Sequence, residues 1–358
     1  MASSRITTSN RAGWLMALPG FGLICLFVFL PFVLAFALSF TNQRLVSPNA
    51  AEWVGLSNYR GLLSIGAIHL DPETDADGAV VSDAEGEPQY PRLRGFTRNN
   101  PDYPRLDGMR EWFSFPWGSG RTLVLAADVV FMKAVVNTLL FVVVVAPVQA
   151  GLALGLALLI NQRLRGINVF RTIYFMPVVV SIVVVSLLWR FILAEEGLLN
   201  NLLSGLTLGA FQGPDWLGNP ATALPAIIAM SIWQAVGFHM VIWLSGLQTI
   251  SPTLYEAGAM EGASGWQTFR YITWPGLRNT AVLILIVITI QAFALFAQID
   301  VMTGGGPLDS TQTIVFQAVE RGYGKQDISG GSTISVILFL VVLSVSLIQR
   351  WLTRDRRA

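Results

Sequence analysis

Residues able to do metal, thiol or phosphate chemistry are few in this sequence. Its 358 residues include one cysteine, Cys25, and two histidines, His69 and His239, which stand far apart. A single thiol excludes an internal disulfide framework and a cysteine-rich metal site, and two distant histidines disfavour a histidine-based metal centre. The phosphate-binding pattern G-x-x-x-x-G-K-[ST] is absent, and residues 322–325 (GYGK) lack its spacing. We therefore expect no metal site and no catalytic residues, and the chain is not predicted to be an enzyme.

The acidic stretch 71–88 contains one partial metal-ion pattern. Residues 73–78 (ETDADG) follow part of the spacing of a calcium-binding loop. The calcium pattern begins with Asp rather than Glu, and Ala84 occupies the position of its bidentate glutamate. A solvated, mobile acidic segment is favoured over a calcium site, because the stretch is also poor in apolar residues.

A different chemistry, hydrogen bonding to a solute, is indicated by polar residues inside long apolar stretches, where polar side chains are costly. Ser231, Gln234 and Phe238 share one face of a helix. The candidate residues for a solute pathway are Ser231, Gln234, Phe238, Thr289, Gln291, Phe293 and Phe296. Two interpretations stay open: these residues line a cavity, or their polar side chains join packed helices while the phenylalanines face lipid. The neighbouring His239 is expected to make a structural hydrogen bond.

The elements that must position these residues are long apolar segments. Hydrophobic residues make up 53% of the chain and charged residues 13%, whereas soluble domains carry about 25% charged residues. Six stretches reach the length of roughly 20 apolar residues that a membrane-spanning helix needs. They are 14–40, 131–160, 172–194, 222–248, 280–302 and 333–352. The predicted fold class is all-α, a polytopic membrane protein with about six transmembrane helices.

The distribution of arginine predicts the orientation of these spans, because cytoplasmic flanks carry the excess of Lys and Arg. Placing both termini in the cytoplasm collects Arg5, Arg11, Arg163, Arg165, Arg171, Arg270, Arg278, Arg350, Arg354, Arg356 and Arg357 on that side. We therefore expect three parts: 1–40 with the first span, an extracytoplasmic insertion at 41–127, and a core domain at 128–358. The aromatic residues of 89–121 are expected either to pack into a small cap or to lie at the membrane interface.

The predicted cytoplasmic segment 249–279, here called the knuckle, is too polar and too short to cross a bilayer. Good helix formers occupy 253–261, and Gly262 permits a tight turn. A second helix is expected over about 265–273, with Pro275 ending it. Two short helices meeting at a glycine form a compact unit that suits a cleft in a soluble partner.

Seven residues of the knuckle have a distinctive spacing. They are Glu256, Ala257, Gly258, Gly262, Ile272, Trp274 and Pro275. This spacing matches the EAA loop of the permease subunits of bacterial ABC importers, although Gly258 replaces the second Ala of that pattern and Trp274 replaces a Leu. Both changes alter packing rather than charge. In that family the loop is the coupling helix that sits in a groove of the ATPase subunit, so the resemblance implies this role here.

Further motifs resemble the carbohydrate-uptake branch of these permeases, which includes maltose and glycerol-phosphate permeases. The motifs are 54–59 (VGLSNY), Asn137-Thr138, 170–172 (FRT) with Pro177, and 303–307 (TGGGP). Nearly the whole chain is covered, apart from about 65–127 and the extreme termini. The resemblance implies a subunit that forms the translocation pathway for a sugar or sugar-like solute and moves it by alternating access.

The partners and location are likewise implied by the resemblance. They are a second permease subunit, two ATPase subunits, an extracytoplasmic solute-binding protein, a sugar-like solute and the lipid bilayer, with no nucleic acid. The chain itself needs no cofactor, because ATP and Mg are bound by the partner ATPase. The expected location is the bacterial cytoplasmic (inner) membrane.

Two other functions remain as alternatives at this point. A non-transporting membrane scaffold or sensor that keeps the permease fold is favoured if the chain has no ATPase partner. A secondary, ion-coupled transporter is disfavoured, because the spans contain no evident ionisable pair at the midplane and no evident internal repeat.

Overall fold

The computed structural model describes residues 4–75, 79–83, 86–162 and 166–353, with the backbone alone at 4–12 and 352–353. Asp77, Gly78 and Ala84 lie outside the described residues, so the partial calcium pattern stays an untested alternative. Arg163, Arg165, Arg354, Arg356 and Arg357 also lie outside them. The orientation of the termini therefore remains a prediction from the sequence.

The described chain is mainly helical. The α-helices in chain order are α1 Ser4–Ile24, α2 Leu30–Leu38, α3 Ser57–Leu63, α4 Arg94–Thr97, α5 Val129–Ile160, α6 Ile167–Val179, α7 Ile182–Ile192, α8 Leu198–Leu206, α9 Pro220–Gln248, α10 Pro252–Met260, α11 Gly265–Thr268, α12 Trp274–Gly276, α13 Arg278–Phe293, α14 Ala297–Met302, α15 Ile314–Val319 and α16 Ile328–Thr353. The strands are β1 Ile65–Leu70, β2 Arg110–Trp117 and β3 Gly120–Ala126. Short π-helical turns at Cys25–Phe29, Phe269–Thr273 and Glu320–Gly324 and a 3₁₀ turn at Pro104–Leu106 complete the elements.

Four helices are long and apolar enough to cross a membrane as single spans. They are Gly13–Leu38, Val129–Ile160, Pro220–Gln248 and Ile328–Trp351. Two bent helix pairs bring the number to as many as six if each pair is one span. The expectation of about six spans is thus met by length and composition.

The third predicted span, 172–194, is not one continuous helix. It breaks between α6 and α7, which are bent by 97°, with Val180 and Ser181 in extended backbone at the break. Val178, Val179 and Val180 precede this point, and consecutive β-branched residues lower helix propensity. Pro177 lies inside α6 and does not end it.

The fifth predicted span, 280–302, is also wrong as a continuous helix. Helix α13 ends at Phe293, and α14 begins at Ala297. Alanine and leucine at the break are good helix formers, so local propensity does not explain it. The hydroxyl of Thr313 donates a hydrogen bond of 2.9 Å to the carbonyl oxygen of Leu295, and this tertiary contact stabilises the open turn.

Helices α5 and α9 form the centre of the helical core. The indole nitrogen of Trp243 donates a 3.0 Å hydrogen bond to the carbonyl oxygen of Ala150. Helix α6 crosses α9 at Gly237, where an added Cβ would lie 1.9 Å from the carbonyl oxygen of Tyr174. Any side chain at position 237 would therefore separate these two helices.

The insertion contains a β-sheet, which corrects the expectation of an all-α chain. Its three strands are antiparallel in the order β1-β3-β2, and a small core forms on one face from Ile68, Leu70, Leu106, Leu123 and Leu125. Tyr90 and Phe96 pack against this core, as expected for a small cap. The sequence had shown a hairpin signal, since Gly118 and Ser119 separate two runs rich in strand formers.

The aromatic residues of β2 have a different environment. Phe113 and Phe115 lie opposite Val124 and Thr122 of β3, and both remain exposed, as does Trp117. The prediction of a cap therefore holds for Tyr90 and Phe96, whereas Phe113, Phe115 and Trp117 of β2 lie outside the sheet's core.

Polar contacts tie the first, second and last spans together at the end that carries the insertion. The amide of Asn58 donates to the carbonyl oxygens of Ser39 and Thr41, at 2.8 and 2.7 Å. The guanidinium of Arg321 contacts Asp128, just before α5, at 2.8 Å and Asp327, just before α16, at 3.2 Å. These contacts fix where the insertion joins the helical core.

Candidate functional site

A cavity of about 310 Å³ lies among α5, α9 and α13 and beside both helix breaks. Its lining residues come from six helices and one connecting turn. They are Phe141, Val145, Gln149, Val178, Ile182, Ser231, Gln234, Ala235, Phe238, Ile288, Gln291, Ala292, Leu295 and Gln298. The wall thus combines aliphatic and aromatic surface with four primary amides and one hydroxyl, a mixture found in small-molecule sites.

Helix α9 supplies the central polar groups of this cavity. Gln234 is the middle residue of Pro220–Gln248, so it stands at about half the depth of the span. Ser231 lies one turn earlier on the same face. Its hydroxyl oxygen is buried and has no hydrogen-bond partner among the described residues, which leaves it able to bind a group in the cavity.

The amide of Gln149 contacts the imidazole of His239. Nε2 of Gln149 donates to Nδ1 of His239 at 3.0 Å in the tautomer that has no proton on Nδ1. In the other tautomer, Nδ1–H donates instead to the carbonyl oxygen of Ala235, also at 3.0 Å. Both side chains are almost fully buried. The hydrogen bond expected for His239 is therefore present, and in the first tautomer it orients an amide that lines the cavity.

The structure brings together four of the seven residues proposed for the solute pathway. Ser231, Gln234, Phe238 and Gln291 line the cavity. Because these four side chains surround one cavity, the interpretation that they line a cavity is favoured over the one in which they join packed helices or face lipid.

The other three proposed residues lie elsewhere. The hydroxyl of Thr289 accepts a 2.8 Å hydrogen bond from the amide of Gln349 on α16, so this threonine joins two helices. Phe293 is buried in the helical core. The ring of Phe296 stacks on Phe316 with centroids 6.1 Å apart. Because α13 ends at Phe293, Phe296 does not continue the face that the sequence predicted.

The other lining residues were not among the seven candidates, and Gln149, Gln298 and Phe141 are the polar and aromatic ones among them. Gln149 is the only amide of the apolar run 131–160 that follows Asn137, and its position deep in that run was an available signal. Gln298 follows the helix break, which the sequence did not predict. Phe141 is one of many apolar residues on α5, and no feature of the sequence distinguishes it.

The knuckle begins with helix α10, whose end is closed by a glycine turn. Gly262 has φ of +72°, and its N–H donates to the carbonyl oxygen of Ala259 at 3.1 Å. The N–H of Ala263 donates to the carbonyl oxygen of Gly258 at 2.9 Å. These two bonds form a Schellman motif, in which glycine adopts the left-handed backbone without the penalty of a Cβ.

The second half of the knuckle starts with a capping box. The hydroxyl of Ser264 accepts from the N–H of Gln267, and the side chain of Gln267 accepts from the N–H of Ser264. The helical path then runs through α11, a π turn and α12 as far as Gly276. The prediction that Pro275 ends the second helix is therefore wrong. The π turn interrupts the regular bonding just before the proline, where its ring would otherwise clash.

The two halves of the knuckle contact each other through residues of the EAA pattern. A Cβ at Gly258 would lie 2.9 Å from Cδ1 of Ile272, so the absence of a side chain at position 258 allows close packing. The hydroxyl of Tyr255 lies 3.2 Å from the hydroxyl of Thr273. Glu256 and Ala257 point away from this contact and are exposed.

The outer surface of the knuckle carries large apolar side chains. Met260 is 89% exposed, Trp266 71% and Tyr271 75%. Trp274 is also exposed, as is Pro275. The rings of Trp266 and Trp274 both contact Phe269, with centroids 5.7 and 6.4 Å apart, and exposed apolar residues that lie together mark an interaction surface.

The knuckle is continuous with two walls of the cavity. Helix α9, which carries Ser231, Gln234 and Phe238, ends at Gln248, four residues before α10 begins. Helix α13, which carries Gln291, begins at Arg278, two residues after α12 ends. The knuckle is therefore joined to both helices by short stretches of backbone.

Within the part of the chain that the structure describes, no group of three or more His, Cys, Asp or Glu side chains is placed to hold a metal ion.

Comparison with known proteins gives concordant matches. Residues 149–358 match the family described as binding-protein-dependent transport system inner membrane component. The lactose transport system permease protein LacF of Rhizobium radiobacter is 33% identical over 245 residues, covering 67% of this chain and 82% of the relative. The trehalose/maltose transport system permease protein MalF of Thermococcus litoralis is 35% identical over 221 residues, covering 62% and 74%.

A solved structure shares the fold over almost the full length. It is a chain of a bacterial ABC transporter involved in the import of the acidic polysaccharide alginate, with a TM-score of 0.71 and 19% sequence identity. The match covers 99% of this chain and 100% of the other. At this identity the similarity shows the fold and not the solute.

Proposed function

The chain belongs to the family of binding-protein-dependent transport system inner membrane components, and on that premise we propose that it forms the pathway through which an ATP-driven importer moves a sugar. It is a multi-pass membrane protein and the permease subunit of an ABC importer. Membership of this family identifies the chain as a permease subunit. The proposed coupling mechanism rests on the geometry of the knuckle and the cavity.

The observation that carries the mechanism is the continuity between the knuckle and the cavity. An exposed apolar surface at Met260, Trp266 and Tyr271 suits docking on a soluble partner, and the helices on either side of the knuckle carry the cavity's polar residues. A partner that changes shape during ATP hydrolysis would move both helices together. The cavity would then open alternately to the two sides of the membrane.

A sugar is the class of solute supported by the relatives and by the chemistry of the cavity. Two relatives are described as permeases for lactose and for trehalose and maltose. Amides and hydroxyls match the donors and acceptors of sugar hydroxyls, and Phe238 and Phe141 add aromatic surface. The solved transporter of the same fold handles an acidic polysaccharide, so the fold alone does not select between neutral and acidic sugars.

The family supports our proposal for the remaining parts of the importer. A solute-binding protein delivers the solute, two ATPase subunits bind ATP and Mg and hydrolyse ATP, and a second permease subunit completes the pathway. The location is the bacterial inner membrane, with the termini and the knuckle in the cytoplasm and the insertion 41–127 outside. The core domain 128–358 holds both the cavity and the knuckle.

A matched pair of glycine variants tests the coupling role of the knuckle. Gly262 needs a positive φ, whereas Gly265 has no φ in that range and no atom within 4 Å of an added Cβ. We expect Gly262→Ala to weaken co-purification with the co-expressed ATPase and to lower ATP hydrolysis, since Ala strains the turn by about 1–2 kcal/mol. Gly265→Ala serves as the control and is expected to behave as the native chain.

The outcome that would contradict the proposal is equally specific. If the native chain never associates with an ATPase, and both glycine variants match it in every assay, the knuckle has no coupling role. The alternative function, a membrane scaffold or sensor that keeps the permease fold, would then be favoured.

A further inference from the structure

The polar surface of the cavity consists of uncharged groups. Four amides and one hydroxyl are its polar side chains, and none of the described residues that line it is ionisable. We infer that the cavity takes a neutral, hydroxyl-rich solute, an uncharged sugar or polyol, and rejects sugars that carry a carboxylate or a phosphate. This inference deepens the proposed function and rests on it.

Ser231 provides the first support. Its side chain is more than nine-tenths buried, it lines the cavity, and its hydroxyl has no partner among the described residues. Buried polar groups in native proteins are hydrogen-bonded with few exceptions. A hydroxyl left without a partner on a cavity wall is explained by a group that occupies the cavity during function, and a sugar hydroxyl can both donate to it and accept from it.

Gln149 provides the second support. Gln149 lines the cavity and His239 does not, and Nε2 of Gln149 lies 3.0 Å from Nδ1 of His239. One end of the amide is thereby used within the protein and the other is left for the solute. The carbonyl oxygen and the second N–H of this amide are left to bind a hydroxyl of the solute, and neither group carries a charge.

The depth of the cavity strengthens the selection against anions. Gln234 is the central residue of a span of 29 residues, and an ionised group at that depth is costly unless a counter-charge accompanies it. Amides stabilise an anion by one hydrogen bond each, without neutralising it. The lining residues contain neither Lys nor Arg, so a carboxylate entering the cavity would lose its hydration without gaining an ion pair.

One feature of the cavity points in the opposite direction. Ile182 is the first residue of α7, and helix N-termini favour anions through their free N–H groups. At this point, however, α7 presents the aliphatic side chain of Ile182 to the cavity. The start of α7 therefore offers an anion no polar side chain, and the test below includes anionic probes to check this point.

The test measures binding without transport. The complete transporter, purified without its solute-binding protein and without ATP, is heated in the presence of lactose, maltose or trehalose, and separately of digalacturonate or trehalose 6-phosphate. We expect at least one neutral disaccharide to raise the unfolding midpoint, and the two anionic probes to bind at least about tenfold more weakly. Ser231→Ala should abolish the shift caused by the neutral sugar.

A charge-introducing pair completes the test. Gln291→Lys places a cation on the cavity wall and is expected to confer stabilisation by an anionic probe. Gln248→Lys, which changes an exposed residue at the end of the same long helix as Gln234, should not. Stabilisation of the native complex by the anionic probes equal to that by the neutral sugars overturns the inference, as does the absence of any shift with all three neutral sugars. Because ATP is absent, loss of coupling in the glycine variants is scored separately from this result.

Discussion

Position 258 shows how a single missing side chain sets the geometry of the knuckle. The EAA pattern has alanine there, and this chain has Gly258, where an added Cβ would lie 2.9 Å from the terminal methyl of Ile272. That methyl belongs to a flexible side chain and can move by a few tenths of an ångström. The two halves of the knuckle can therefore accept alanine but have no space for a larger residue.

We predict opposite outcomes for two substitutions at this position. Gly258→Ala should retain ATPase association and change the free energy of unfolding by less than about 1 kcal/mol, because the helical gain from alanine offsets the close contact. Gly258→Leu should cost about 1–3 kcal/mol through overpacking and should weaken the association. Thermal unfolding together with ATPase co-purification measures both. A Gly258→Ala variant that no longer binds the ATPase would show that the close contact with Ile272 is indispensable.

The buried pair of Gln149 and His239 permits a second test at the residue scale. Removing one partner leaves the other polar group buried without its hydrogen bond, at a cost of about 1–3 kcal/mol. Replacing both by apolar residues removes that penalty. We therefore expect the double variant Gln149→Leu/His239→Leu to be less destabilised than the sum of the two single variants. Additive free energies of unfolding would mean that the two side chains do not interact.

At the scale of elements, the sequence predicted the long helices better than their interruptions. A run of about 20 apolar residues specifies a span by its composition, and this was sufficient for α5, α9 and α16. The break after α13 depends on the bond from Thr313 to Leu295, which joins residues from different elements. No local pattern at 294–296 could reveal it. The small sheet was missed although its hairpin turn at Gly118-Ser119 was visible.

The ion-pair cluster around Arg321 is the element-scale contact with a clear energetic expectation. Its guanidinium bridges Asp128 before α5 and Asp327 before α16, and all three side chains are partly buried. We expect Arg321→Met to lower the free energy of unfolding by more than the roughly 0–1 kcal/mol of an exposed pair, because two carboxylates lose their partner.

A matched control exists in the insertion. Arg121 pairs with Glu111 at 3.2 Å, and both side chains are more exposed than those of the Arg321 cluster. Arg121→Met should therefore have a smaller effect in the same denaturation experiment. Equal effects of the two substitutions would show that burial of the Arg321 cluster adds no stability.

At the scale of the whole molecule, the cavity and the knuckle are two parts of one arrangement. The glycine turn of the knuckle and the start of its second helix could be predicted, because Gly262 and Ser264 lie close together in sequence, whereas the π turn that carries the helical path past Pro275 was not predicted. The cavity could be predicted only by helical face. Ser231, Gln234 and Phe238 follow one face of α9, but the helix they meet depends on packing between α5 and α9 and on the break after α13. Gln149 was accordingly missed, and Gln298, which the sequence places on one helical face with Gln291, was not named as a candidate.

The central claim is that movement of the knuckle drives a solute through the cavity, and ATP-dependent uptake tests it most directly. The native transporter, reconstituted in vesicles with its solute-binding protein, is compared with transporters that carry Gly262→Ala or Gly265→Ala in this chain. We predict ATP-dependent accumulation of a neutral disaccharide by the native and Gly265→Ala transporters, and strongly reduced accumulation by Gly262→Ala. Full uptake by Gly262→Ala with the turn shown to be distorted, or no uptake by the native transporter, would contradict the account.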